Sequence, residues 1–114
     1  MTRRELTALC LTWPDAWEDY PFDEDWTVLR HRGNRRCFAF LFEREGRLLV
    51  NLKCEPMRAE FWRKVYPQVT PGYHMNKIHW NTVDVNGGLD EETLRAMISH
   101  SWELTAPKER RKPR

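Results

Sequence analysis

No run of apolar residues in this 114-residue chain approaches the ~20 that a membrane-spanning helix needs. The opening Met1-Thr2-Arg3-Arg4-Glu5 leads into no long apolar core of the secretory type, so a cytoplasmic protein is expected. Cysteine is scarce. Cys10, Cys37 and Cys54 form an odd set with no CxxC spacing, which argues against a disulfide framework and against zinc. Each thiol therefore reads as a small buried hydrophobe. Recognisable catalytic motifs are missing as well: there is no Gly-rich phosphate loop, no GxSxG, no HExxH and no paired-carboxylate motif. Neither an enzyme nor a bound cofactor is expected. Nothing repeats and no linker divides the chain, so residues 1–106 read as one domain, large enough to bury roughly two-thirds of its unfolded surface. Residues 107–114, beyond the last helix, read as a disordered basic tail with nothing to bury.

What is present is uneven charge and many rings. Residues 15–25 carry Asp15, Glu18, Asp19, Asp23, Glu24 and Asp25 with no Lys or Arg, whereas residues 30–36 carry Arg30, Arg32, Arg35 and Arg36 with no acid. The tail adds Lys108, Arg110, Arg111, Lys112 and Arg114 against Glu109 alone. Setting aside these five basic and one acidic residues from totals of 19 and 17 leaves 14 against 16, a slightly acidic body. Attraction to nucleic acid would then come from local patches and the tail.

Along the chain, Thr2 and Glu5 fit a capping box ahead of Leu6, Leu9, Cys10 and Trp13, which recur at helical spacing up to Pro14. Residues 14–25, with Trp17, Tyr20 and Phe22 among the acids, read as an ordered loop pinned by its rings. Three strands follow, Trp26–His31, Cys37–Phe42 and Leu48–Lys53, joined by connections rich in Gly and Asn into an antiparallel meander. Pro56 suits the first position of a second helix, whose apolar stripe is Met57, Phe61 and Val65 with Trp62 alongside. Tyr73–Lys77 and Trp80–Val85 read as two short strands of a second β unit. Asp90 caps a last helix that buries Leu94, Met97, Ile98, Ser101 and Trp102. The order α-βββ-α-ββ-α, with helices on one face of an antiparallel sheet, makes an α+β two-layer sandwich.

The densest stretch is Pro71-Gly72-Tyr73-His74-Met75-Asn76-Lys77-Ile78-His79-Trp80-Asn81-Thr82-Val83. Its wording, PGYHMNKxHWNTV, resembles the signature of the MmcQ/YjbR family of small bacterial proteins, and AWEDYPF at 16–22 and DWTV at 25–28 are similar to further family words. The resemblance covers roughly residues 4–105. It implies a frataxin-like (CyaY-like) fold and DNA binding through paired β wings. Ile78 stands where the family pattern has Arg or a variable residue, which removes one potential phosphate contact.

Two constellations carry the functional expectations. Arg30, Arg32, Arg35 and Arg36 surround a hairpin turn at Gly33-Asn34, a compact patch able to neutralise phosphates, with Arg32, Arg35 and Arg36 expected to make the contacts. The competing reading is a solvated edge that discourages sheet-to-sheet pairing. Asn76, Lys77 and His79 form the tip of the signature hairpin, where they could reach a phosphate backbone, with Trp80 offering a ring for stacking if exposed. Structurally, Tyr73, Met75, Ile78 and Trp80 would pack the core there, while Asn76 and Asn81 bond the turn backbone. His74 and His79, five apart, face opposite sides of a continuous strand, and no metal is expected. The acidic run invites an analogy with iron binding on frataxin-like folds, but a fold does not carry a function and a solvated loop is preferred.

The leading expectation is a small non-enzymatic protein binding DNA weakly or non-specifically as a monomer, with the acidic stretch on another face. The alternative is a ligand- or protein-binding module. In it Trp17, Tyr20, Phe22, Trp26, Tyr73 and Trp80 would line an aromatic cleft between the acidic loop and the signature hairpin.

Overall fold

A computed structural model describes residues 1–23 and 25–108. The terminal run from 109 onward, where most of the predicted basic tail falls, lies outside the described residues, as does Glu24. Lys108 is described and exposed.

Helix α1 (Arg3–Cys10) starts at the capping box read from the sequence: Thr2 Oγ1 accepts from the Glu5 amide at 3.1 Å, and Glu5 Oε1 accepts from the Thr2 amide at 2.8 Å. Strand β1 (Ala16–Asp19) follows, inside the stretch expected to be a loop. It was hidden because it is four residues long, half polar, and lies at a sheet edge, where only the partner strand reveals it. The meander itself forms as expected, in β2 (Thr27–His31), β3 (Cys37–Arg44) and β4 (Arg47–Lys53). Opposite Leu29 and Arg30, β3 carries one extra residue, so that Phe38 and Ala39 are both fully buried in succession.

Helix α2 (Pro56–Val65) has Pro56 in its first turn but turns the other way round from the expectation. Met57 is 80% exposed, Phe61 58% and Val65 48%, while Ala59 is fully buried. The inward face is set by polar and close-contact terms. Ala59 lets the helix backbone approach the sheet, where Asn81 Nδ2 donates to its carbonyl at 3.3 Å, and Arg63 Nε donates to Asn81 Oδ1 at 2.7 Å.

The second β unit comprises β5 (Val69–Pro71) and β6 (Trp80–Asp84). Tyr73–Lys77 is not a strand. It belongs to an eight-residue connection, 72–79, because the side chain of Thr82 and the carbonyl of Trp80 take up the amides of Tyr73 and Gly72. Helix α3 (Glu91–Thr105) is capped by Asp90, which accepts from the Thr93 amide at 3.1 Å, and it buries Leu94, Met97, Ile98 and Ser101.

All strands pair antiparallel in the order β1-β2-β3-β4-β6-β5. The result is α+β, with one strand more than the sequence suggested. Helices α1 and α3 cover the face carrying Leu29, Leu41, Val50 and Val83, and α2 joins them beside β5 and β6. Alternation sends Trp17, Arg30, Phe40, Phe42, Asn51, Lys53, Trp80 and Thr82 to the opposite, open face.

Cys10, Cys37 and Cys54 are free. Cys10 and Cys54 are buried, which pushes their thiols up to about 12. Cys37 departs from the expectation in being only partly buried, since it faces the open side of the bulged strand.

Candidate nucleic-acid interface

The arginine turn is built rigidly. Arg35 donates its amide to His31 O at 2.8 Å, and His31 donates back to Arg36 O at 2.9 Å. Asn34 holds the turn from inside, its Oδ1 accepting from the Arg36 amide at 3.0 Å and its Nδ2 donating to Thr105 O at 2.9 Å. The left-handed residue is Arg35, at φ 63°, rather than the neighbouring Gly33 or Asn34. Glycine at 33 serves close approach instead, since a Cβ there would lie 3.1 Å from Pro107 Cγ. Arg32, Arg35 and Arg36 are all exposed. None of the three forms an ion pair with any described residue. Arg30 behaves differently: its Nε meets Asp19 Oδ2 at 2.8 Å across β1 and β2, and its Nη1 donates to Arg35 O at 2.9 Å.

The acidic stretch is divided. Asp19 is matched by Arg30 on the open face, and Asp15 O accepts from the Arg32 amide at 2.9 Å, at the arginine turn itself. Asp23 and Asp25 lie in the β1–β2 connection, at the opposite end of those strands from the arginine turn. The expectation that the run sits on another face therefore fails for Asp15 and Asp19, while Asp23 and Asp25 are kept from the arginine turn by the length of the strands.

The signature connection does not project as a wing. It folds across the open face, pinned by a closed set of bonds. Thr82 Oγ1 accepts from the Tyr73 amide at 2.8 Å and donates to Asn51 Oδ1, and Asn51 Nδ2 donates to Tyr73 O at 2.9 Å. Gly72 is obligatory at this crossing because a Cβ would stand 2.8 Å from Trp80 Cβ. Lys77 turns its ammonium back into the loop, donating to Gly72 O at 2.8 Å, and Arg63 Nη2 donates to Lys77 O. Asn76 bonds the turn backbone as the structural reading had it, its Oδ1 accepting from the Ile78 amide at 2.9 Å. Asn81 instead serves α2, and Ile78 is 62% exposed rather than in the core, because the loop runs along the surface beside α2. The His79 side chain is exposed. Among the described residues no cluster of His, Cys, Asp and Glu suits a metal ion.

The six rings of the supposed aromatic cleft are shared out. Trp26 and Tyr73 lie on either side of Phe42, at centroid distances of 4.3 and 5.6 Å, with the Arg44 guanidinium 4.6 Å from the Tyr73 ring. They border a hollow of about 480 Å³ with His74 and Asp25. Tyr20 lines a different hollow, of about 490 Å³ beside α1, and its hydroxyl donates to Glu18 Oε2 at 2.6 Å. Phe22 is 65% exposed. Trp80 meets Phe40 edge-on at 5.5 Å, and Trp17 stands at the β1 edge opposite Arg30. Phe40 and Lys53 were absent from the sequence-predicted site. Alternation placed both on strands, but only the strand order puts them beside Trp80.

Comparison with known proteins gives a consistent picture. The profile of the family described as YjbR matches residues 11–104. The chain is 32% identical to YjbR of Escherichia coli (strain K12) over 115 aligned positions, spanning 98% of this chain and 96% of that protein. It is 30% identical to YyaQ of Bacillus subtilis (strain 168), spanning 82% and 86%. Among solved structures, a Pseudomonas syringae protein superposes with a TM-score of 0.83 at 30% identity, covering 93% of this chain and all of the other. A Deinococcus radiodurans protein gives 0.81 at 32%, covering 95% and 80%.

Proposed function

We propose, from the premise that this chain belongs to the YjbR family, that it is a small non-enzymatic DNA-binding protein of the cytoplasm, holding the phosphate backbone without reading base edges. The same reading takes the fold as the frataxin-like type that the signature implies. The observation that supports it best is the β2–β3 turn. There, three guanidiniums are presented from five consecutive residues on a backbone held by Asn34, with no ion-pair partner among the described residues. Guanidinium forks placed so match phosphate oxygens, and release of counterions supplies the affinity. His79 and Lys108 are exposed and add to this surface, whereas Lys77 is assigned to holding the signature loop. The ligand-cleft alternative has less support, since Trp26 and Tyr73 border one hollow, Tyr20 borders another, and Phe22 is exposed.

Titration of duplex DNA at several salt concentrations tests the reading. Each lost phosphate contact lowers the slope of log affinity against log salt by about 0.9, so Arg35→Ala with Arg36→Ala reduces it by about two. Lys77→Ala keeps the parent slope. Absence of binding at low salt, or an unchanged slope in the double arginine variant, defeats the proposal.

A further inference from the structure

An antiparallel sheet that shows one face to water ordinarily alternates apolar inward with polar outward. The open face here does not. Trp17, Phe40 and Trp80 point to it and are each partly exposed, although α1, α2 and α3 all lie on the other side. The strand order brings these residues to one end of the face. Trp17 stands opposite Arg30 across β1 and β2, Arg30 opposite Cys37 across β2 and β3, and Lys53 opposite Trp80 across β4 and β6. Phe40 leans over β4 to meet Trp80, with ring planes at 71°. The signature loop covers Asn51 and Phe42 with Tyr73, and the part-exposed rings at the other end stay open to solvent.

Cations flank the same rings. Arg36 immediately precedes Cys37 at the start of β3, and Lys53 ends β4 one residue beyond Leu52, which pairs with Ala39, so the two cations stand at the same end of neighbouring strands. Burial and then the Arg36 charge lower the Lys53 ammonium below its ordinary value. Neither side chain has an acidic partner within ion-pair distance among the described residues, whereas Arg30, on the neighbouring strand β2, is already matched by Asp19. Two like charges held together on a surface are relieved by an anion placed between them. Ring faces beside a phosphate-sized anion site are of no use to a duplex, whose bases are stacked inside and show only their edges. In a single strand the bases present their π-faces, and stacking on aromatic side chains tolerates any sequence.

We infer that the preferred ligand is single-stranded DNA, its unpaired bases stacking on Trp17, Phe40 and Trp80 while Arg36 and Lys53 hold the intervening phosphate. The inference rests on the DNA-binding reading above and narrows it to one class of substrate.

Fluorescence anisotropy with a labelled mixed-sequence oligonucleotide, alone and annealed to its complement, tests it in the full chain at low salt. The single strand binds more tightly than the duplex. Trp17→Ala and Trp80→Ala each lower single-strand affinity roughly 5- to 150-fold, the range of one base–aromatic stack, and leave duplex affinity unchanged. Trp80→Phe keeps a ring and retains most of the preference. Should Trp80→Ala fail to fold, as judged by circular dichroism, Trp17→Ala and Trp80→Phe carry the test. Equal affinity for the two forms overturns the inference while leaving DNA binding in place. So does a loss that falls equally on both forms, or single-strand affinity that ignores the ring variants. If neither form binds, the DNA-binding reading falls and this inference with it.

Discussion

Thr82→Val removes a hydroxyl and changes little else, because valine copies the shape of threonine. In the native protein that hydroxyl accepts from the Tyr73 amide at 2.8 Å and donates to Asn51 Oδ1. Both partners lose their bond in the variant. Asn51 is fully buried and Thr82 4% exposed, so the Asn51 carbonyl has no route to water. An orphaned buried polar group costs about 1–3 kcal/mol, and the Tyr73 amide, in a part-buried loop, falls near the lower end of that range. The bond from Asn51 Nδ2 to Tyr73 O remains. The expected loss is therefore about 2–4 kcal/mol out of a typical ~5–15 kcal/mol. At about 3–6 °C per kcal/mol for a domain of this size, the melting temperature drops by on the order of 10 °C. Urea titration followed by tryptophan fluorescence measures it directly, and the midpoint moves at constant m because both end states stay equally compact. A loss under ~0.5 kcal/mol would refute the claim that this network pins the signature loop to the sheet.

The exposed stripe of α2 and the buried face of α3 make a contrasting pair. Phe61→Ala changes stability by no more than ~0.5 kcal/mol, whereas Leu94→Ala costs about 2–5 kcal/mol by opening a cavity; chemical denaturation of both decides, and a costly Phe61 variant would show that face to be covered in solution. His100 supplies a pH dependence. Burial and then the Arg58 charge hold its imidazole below the ordinary 6.5, and its Nε2 accepts from the Glu55 amide at 3.1 Å, a bond only the neutral ring can make. The unfolded chain therefore takes up that proton first, so stability is full above pH 6.5 and declines as the pH falls from there toward the folded value. Replacing His100 with Asn flattens that part of the stability profile, and an identical profile in the variant would exclude His100 as its source.

Where structure is set by neighbours in the chain, the sequence was sufficient. The capping box of α1, the Asp90 cap and periodicity of α3, the meander from β2 to β4 and the Pro56 start of α2 depend on contacts a few residues apart, and they appear where local chemistry placed them, although α1 ends at Cys10, short of Trp13. The tight arginine turn was legible for the same reason, although its left-handed residue is Arg35. What the chain alone could not decide is which partner each face meets. Met57, Phe61 and Val65 have helical spacing whether buried or not; Arg63 reaching Asn81 and the small Ala59 against β6 turn them outward. The strand β1 exists only because β2 pairs with it. Lys77 is an obvious cation in the sequence, yet the crossing of loop 72–79 over Asn51 and Thr82 bends its ammonium onto Gly72 O. Trp17, Phe40, Lys53 and Trp80 lie far apart along the chain. They share one end of one face because the order β1-β2-β3-β4-β6-β5 and its registers align them, and register is a property of the assembled sheet, with no counterpart in any single strand.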